Sequence, residues 1–446
     1  MNKKAVAIVL AASTALSLAA CGSSTSSTGT AAATSAAAAT AAAAATSAAA
    51  DGTASSGAAA SITLFNSKME IQDQFETLTD TYEKATGVHV ECYYSSDTVA
   101  SHIASKYAAN DPYTIMMVDA KDVYSLGPQY AADLSSEKWV SDTNYAIQVD
   151  GKTLGFPFCV EARGLMYNGD AIKKITGEDF DPTKYETLDS FKELLAKLVA
   201  GGMASPVGIM KEDWSLGAHY FQEVYEERDD VDSFISSLKA GTEDLTKDAK
   251  FNSLMDTFDV LKENNYAKDS AISAERETSE MKLAQGDIAF MFGGNWDWAE
   301  INQYDYTDGI GMMPVPQNTD DGSNTKLVGG GSKYFMIDSS DATNDAERQA
   351  AKDFLNWLVS DPQGQSFLVN DCSLVPAFKS NTLAVQDPLG ASVKQYADAG
   401  NLIANYNYDP DDHYSKVGAS MQKYLADQID RAGLATEVED YWKSVK

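Results

Sequence analysis

From residue 61 onward the hydrophobic positions follow two alternating periods. Ile62-Thr63-Leu64-Phe65 is a short apolar run that predicts a strand. After the polar Asn66-Ser67-Lys68, Ile71, Phe75, Leu78 and Tyr82 recur at spacings of four, three and four, which puts them on one face of a helix that Gly87 stops. Val88 to Tyr94 predicts a second strand, Asp97 can cap a helix carrying Val99, Ile103 and Tyr107, and Thr114 to Val118 predicts a third, fully apolar strand. This alternation of strand and helix predicts a parallel sheet covered on both faces, with ligand contacts at the carboxyl ends of its strands.

Further along the pattern loosens. Thr153 to Val160 predicts one strand and Leu165-Met166-Tyr167 another, before a helix whose apolar face is Phe191, Leu194, Leu195 and Leu198 and whose end is Gly201-Gly202. Leu254, Phe258 and Leu261 mark a further helix, and Asp287 to Phe292 reads as a buried strand. Gly329-Gly330-Gly331 precedes a strand from Lys333 to Ile337, and Ala350, Phe354 and Leu358 belong to a helix that ends at Asp361-Pro362. A body from Ser61 to Lys446 suits two lobes better than one core.

The first sixty residues have a different character. Lys3 and Lys4 precede an apolar run from Ala5 to Leu16 and the tetrapeptide Leu18-Ala19-Ala20-Cys21, the pattern of an export signal too short to remain as a membrane span. The segment resembles a bacterial lipoprotein signal, which implies that Cys21 is lipidated and anchors the chain to the outer face of a membrane. Residues 22–60 are Ala, Ser, Thr and Gly with Asp51 as the only charge, so they are expected to form a disordered tether spanning about 35 Å on average. With 65 acidic against 34 basic residues the net charge is −31, which excludes nucleic acid and anionic lipid as direct partners of the body. Cys92, Cys159 and Cys372 have no metal-ligand spacing and read as free buried thiols or one disulfide with a thiol left over.

Four ordered phrases carry a family resemblance. They are Ile62 to Glu70 with Tyr82 to Val88; Gly151 to Pro157 running into Val160 to Asn168; Gln285 to Met291 running into Gly294-Asn295-Trp296; and Ala350 to Leu355 with Val375-Pro376-Ala377. This set resembles the extracellular solute-binding proteins of ATP-driven importers, in particular the sugar-binding branch typified by maltodextrin-binding protein. The resemblance implies an α/β, two-lobed periplasmic-binding-protein type II fold with hinge strands and a ligand cleft between the lobes. Lobe 1 is then expected at 61–159 plus 328–374 and lobe 2 at 160–327 plus 375–446, with crossings near Cys159 to Glu161, Leu327 to Gly330 and Leu374 to Ala377. It also implies a saccharide ligand, permease subunits of an ABC transporter as partners, a monomer, and no cofactor.

A sugar offers hydroxyls that need planar or charged hydrogen-bond partners and a carbon face that needs an aromatic ring. Trp296 and Trp298 follow the strand ending at Phe292; the resemblance implies that Trp296 stacks on a sugar ring, while Trp298 is expected in the core. Glu161 and Arg163 lie at the first crossing and can reach the cleft, Arg163 as a brace for Glu161, or form a structural salt bridge. Asn66, Ser67 and Lys68 form the loop after the first strand, Glu70 caps the next helix or faces ligand, and Asp119 and Lys121 follow the third strand in the same geometry. Trp214, beside Asp213 in a loop after Val207 to Met210, is the candidate for a second stacking platform. Tyr406, Tyr408 and Tyr414 flank Asp409-Pro410-Asp411-Asp412-His413; the default is a surface loop, with Tyr408 as its candidate ligand contact, and no EF-hand pattern is present.

No G-x-S-x-G, H-E-x-x-H, Walker or dinucleotide motif occurs, and the four histidines at 89, 102, 219 and 413 share no spacing. A glycosidase needs only two carboxylates about 5 to 10 Å apart and remains an enzymatic rival. Two binding alternatives are a solute-binding protein for a non-sugar ligand such as a polyamine, and a carbohydrate-binding surface adhesin.

Overall fold

The computed structural model describes residues 61–95 and 98–445, so Cys21, the expected leader and tether, and the Asp97 cap lie outside the described residues. The strands in chain order are β1 (Ile62–Asn66), β2 (Val90–Tyr94), β3 (Ile115–Asp119), β4 (Ile147–Val149), β5 (Lys152–Pro157) and β6 (Val160–Asn168). They continue with β7 (Val207–Gly208), β8 (Phe290–Gly294), β9 (Ile310–Met313), β10 (Leu327–Gly331), β11 (Lys333–Ile337) and β12 (Leu402–Ile403). One sheet has the order β2-β1-β3-β11-β5-β4; the other has the order β12-β10-β6-β8-β7, with β9 also paired to β6.

The opening β1, β2 and β3 pair in parallel through the helices Gln72–Thr86 and Val99–Ala108, as their alternating periods predict. The complete sheet is mixed, because β11 runs antiparallel to both β3 and β5. An apolar run encodes burial and not direction, so this reversal is invisible to periodicity.

One further expectation is corrected at the same place. The single strand predicted over 153–160 is two strands: β5 ends at Pro157 in the first sheet, and after Phe158-Cys159 the chain enters the second sheet as β6. The three glycines 329–331 lie inside β10, paired antiparallel with Ala162, Glu161 and Val160, and a side chain at Gly329 would collide with the β6 backbone. Ser332 alone separates β10 from β11, which returns to the first sheet. A third segment passes the same spot, where Val375 bridges Val160.

Aromatic rings fill the interior of each half. Phe75 packs on Phe158, Phe335 and Phe367 with ring centroids 5.8, 6.3 and 5.2 Å apart, and Tyr220 packs on Phe258 and Phe292 at 4.9 and 5.0 Å. Trp298 is buried in the first of these clusters, as expected. Cys92, Cys159 and Cys372 are all unpaired.

The C-terminal helices are fastened by close contact. His413–Leu425 lies against the segment Trp214–Tyr220, where side chains at Gly217 or Gly418 would collide with the facing backbone. Arg431–Ser444 buries Trp442, whose Nε1 donates to the Tyr225 hydroxyl at 2.9 Å, and His413 Nε2 lies 3.3 Å from the same hydroxyl. Burial drives the His413 pKa down from 6.5 to about 3. A depressed folded-state pKa stabilises the fold above the unfolded value, and that stability is lost as pH falls from about 6.5 toward 3. Replacing His413 with Phe is expected to flatten the loss over that window, as measured by urea denaturation at stepped pH.

Candidate ligand-binding cleft

The loop after β1 is shaped by Asn66, whose buried side chain accepts from Lys68 N at 2.8 Å and donates to Lys68 O at 3.1 Å. That turn carries Lys68 inward, where its Nζ meets Glu161 Oε1 on β6 at 2.6 Å and Glu70 Oε1 at 2.7 Å. Burial by itself would lower the Lys68 pKa, but the Glu161 and Glu70 carboxylates outweigh it and hold the ammonium well above its ordinary value. Burial likewise pushes Glu161 up, and Lys68 reverses the shift so that its carboxyl sits below the usual range. Beside them Lys333 Nζ on β11 lies 2.5 Å from Asp119 Oδ1, and the lysines 333, 121 and 68 keep Asp119 ionised against its burial.

The facing wall starts at Trp214–Tyr220, a π-helix and not the loop expected there. Its wider turn brings residues five apart into register, so the Trp214 and His219 rings meet at 5.3 Å, and His219 meets Trp296 at 4.9 Å. Arg276 lies over Trp214 at 4.7 Å and is fixed by Asp297 at 2.6 Å. Burial, followed by Arg163 and Arg276, holds His219 neutral, and its Nδ1 is covered without a partner. The Trp296 indole folds over Gly294, where any Cβ would collide with the ring.

Arg163 does not brace Glu161. It pairs with Glu226, lies 3.7 Å from Glu223 and donates to Asn405 Oδ1 at 2.8 Å. Glu226 also accepts from Tyr406 N at 2.8 Å, which pins the segment after β12 to this wall. That segment reaches the first half as well, through Lys121 to Asp411 at 3.2 Å and the tilted contact of the Tyr124 and Tyr408 rings at 4.7 Å.

Between the walls lies a cavity of about 810 Å³. Of the sequence candidates, Ser67, Lys68, Glu70, Asp119, Lys121, Glu161, Arg163, Trp214 and Trp296 line it. Asn66 does not; it shapes the loop from beneath. Tyr408 is 59% exposed and packs outside on Tyr124. Its neighbours Asn405, Tyr406, Asn407 and Asp409 do line the cavity, so the segment taken by default as a surface loop is a cleft wall. His219, Gln222, Glu226 and Lys333 were missed by sequence reasoning. The 214, 218, 219, 222 spacing is a helical face that could have signalled two of them, His219 and Gln222. Among the described residues no group of three or more His, Cys, Asp or Glu side chains is placed to hold a metal.

The family model described as "bacterial extracellular solute-binding protein" matches residues 77–402. The chain belongs to this family. Solved structures similar to this solute-binding protein include apo RafE from Streptococcus pneumoniae, with 19% identity, 88% of this chain and 99% of that chain covered, and a TM-score of 0.71. Others are a Bacillus licheniformis sugar transporter in complex with stachyose (18%, 86% and 99%, 0.64) and maltose-bound MalE3 of T. maritima (15%, 86% and 99%, 0.65). At these identities the similarity is one of fold: two α/β lobes with a cleft between them. Among the described residues of this solute-binding protein no helix is long and apolar enough to cross a membrane.

The buried pair at the cleft floor yields a stability test. Lys68→Met leaves Glu161 buried without its cation and is expected to destabilise the protein by about 3–5 kcal/mol. Adding Glu161→Leu removes the orphaned charge, so the double variant should recover most of that loss in urea denaturation.

Proposed function

We propose that this solute-binding protein captures a mono- or oligosaccharide outside the cell and hands it to the permease of an ATP-driven importer. The observation that carries this reading is the pairing of indole faces with charges that already neutralise one another. Trp214 and Trp296 offer flat apolar surfaces, while Glu161, Glu70, Asp119 and Glu226 each meet a lysine or arginine within the cleft. Such pairs present strong, oriented hydrogen-bond partners to neutral hydroxyls without demanding a charged ligand. A polyamine would need carboxylates with no resident cation, so the pairing favours the sugar. The raffinose, stachyose and maltose named for similar structures support the same choice.

The protein acts as a binder. A ligand touching both walls binds the closed arrangement more tightly than the open one, so closure is a population shift set by that difference. Cys21 carries a lipid anchor, residues 22–60 are the tether, and the protein works as a monomer.

Calorimetry with raffinose, stachyose, maltose, chitin oligosaccharides and a series of polyamines tests this. Saturable binding of at least one saccharide is expected, and Trp296→Ala should weaken it at least ten-fold; response to amines alone would sink the sugar reading. Cys21→Ala should release the protein from the membrane fraction into the medium, whereas retention there would contradict the anchor.

A further inference from the structure

One corner of the cleft contains two buried polar atoms that its internal bonding leaves unused. Gln222 is 3% exposed, and its Nε2 donates to Asp409 Oδ2. Gln222 Oε1 and Asp409 Oδ1 are both covered and without a partner, and both residues line the cavity. Atoms of this kind lose hydration on burial and recover nothing until a ligand reaches them.

We propose that Gln222 and Asp409 are the specificity-determining pair of the cleft, holding a single sugar hydroxyl that donates to Gln222 Oε1 and accepts from Asp409 Oδ1. The proposal rests on the saccharide reading and deepens it. Asp409 Oδ2 is already engaged by the amide of Gln222, so a proton on this carboxyl belongs on the unpartnered Oδ1. Burial, with Glu226 beside it, raises the Asp409 carboxyl to about 8, against the opposing Gln222 hydrogen bond and the charges of Lys121 and Arg163. The phenols of Tyr406, Tyr225 and Tyr441 also face it and stay neutral in this range. At neutral pH the corner therefore offers one donor and one acceptor with no net charge. A hydroxyl satisfies both with one oxygen; an ether oxygen leaves Gln222 unpaired, and a deoxy carbon leaves both unpaired. A site built in this way discriminates strongly, because the wrong group strands buried polar atoms. Gln222 lies inside the matched span and Asp409 beyond residue 402, where the family match ends, so half of the grip is supplied by a stretch outside that span.

The test is calorimetry from pH 6.5 to 9 with whichever saccharide of the panel binds most tightly, for the wild type, Asp409→Ala, Asp409→Asn and Gln222→Ala, with melting curves confirming that each folds. Asp409→Ala and Gln222→Ala should weaken binding about ten-fold or more. Asp409→Asn keeps one donor and one acceptor and should hold affinity within about three-fold at pH 6.5 while removing the pH dependence. Wild-type affinity should fall as pH rises through about 8. Unchanged affinity in Asp409→Ala, equal losses in the Asn and Ala variants, or wild-type affinity that rises with pH would each overturn the proposal while leaving the saccharide reading intact. No saccharide binding by the wild type would overturn both.

Discussion

A charge taken out of water survives only beside its opposite, and that constraint organises this cleft. Lys68, 4% exposed, is held by Glu161 and Glu70; Lys333 is held by Asp119; Arg163 is held by Glu226. The partners come from distant parts of the chain. Lys68 follows β1, Glu161 lies on β6 and Lys333 opens β11, so the pairs assemble only when the strands passing between the sheets are in register. A misplaced register would strand an ion in the interior, so the same pairs that offer hydrogen bonds to a ligand also penalise misassembly.

Local geometry then decides what the paired charges face. The π-helix at Trp214–Tyr220 and the glycine beneath Trp296 set three rings in sequence, Trp214, His219 and Trp296, along one wall. Regular α-helical spacing would not place Trp214 over His219, since five residues in an α-helix are more than one turn apart. The tight Gly217 and Gly418 contact allows the C-terminal helix to press against this element, and the segment before that helix becomes the remaining wall. Rigid packing behind the rings keeps them oriented in the absence of ligand.

Much of this was legible in advance where a physical rule acts within a few residues. The helix at 72–86, the early parallel strands and the burial of Trp298 follow from periodicity and chain punctuation. Trp214, Trp296, Glu161 and Lys68 were legible as cleft candidates because they lie near strand ends or crossings. For Arg163 the sequence leaves open a brace for Glu161 or a structural salt bridge; the fold makes it a salt bridge with Glu226, whose distance along the chain carries no trace of their contact in space. The string of acids around Asp409 looks like a solvated turn; its hydrogen bond from Gln222 and its place in the cavity wall are properties of the fold.

By itself the sequence determined the export pattern, the acidic body, the alternation of elements and the pool of aromatic and polar side chains, because each depends on composition or on contacts within one or two turns. Tertiary structure alone decided the direction of β5 and β11, the split of the chain at Phe158-Cys159, and the meeting of Gln222 with Asp409. The reason is that strand direction, ion pairing and burial of a polar atom are set by residues far apart along the chain, and only packing brings them within bonding distance.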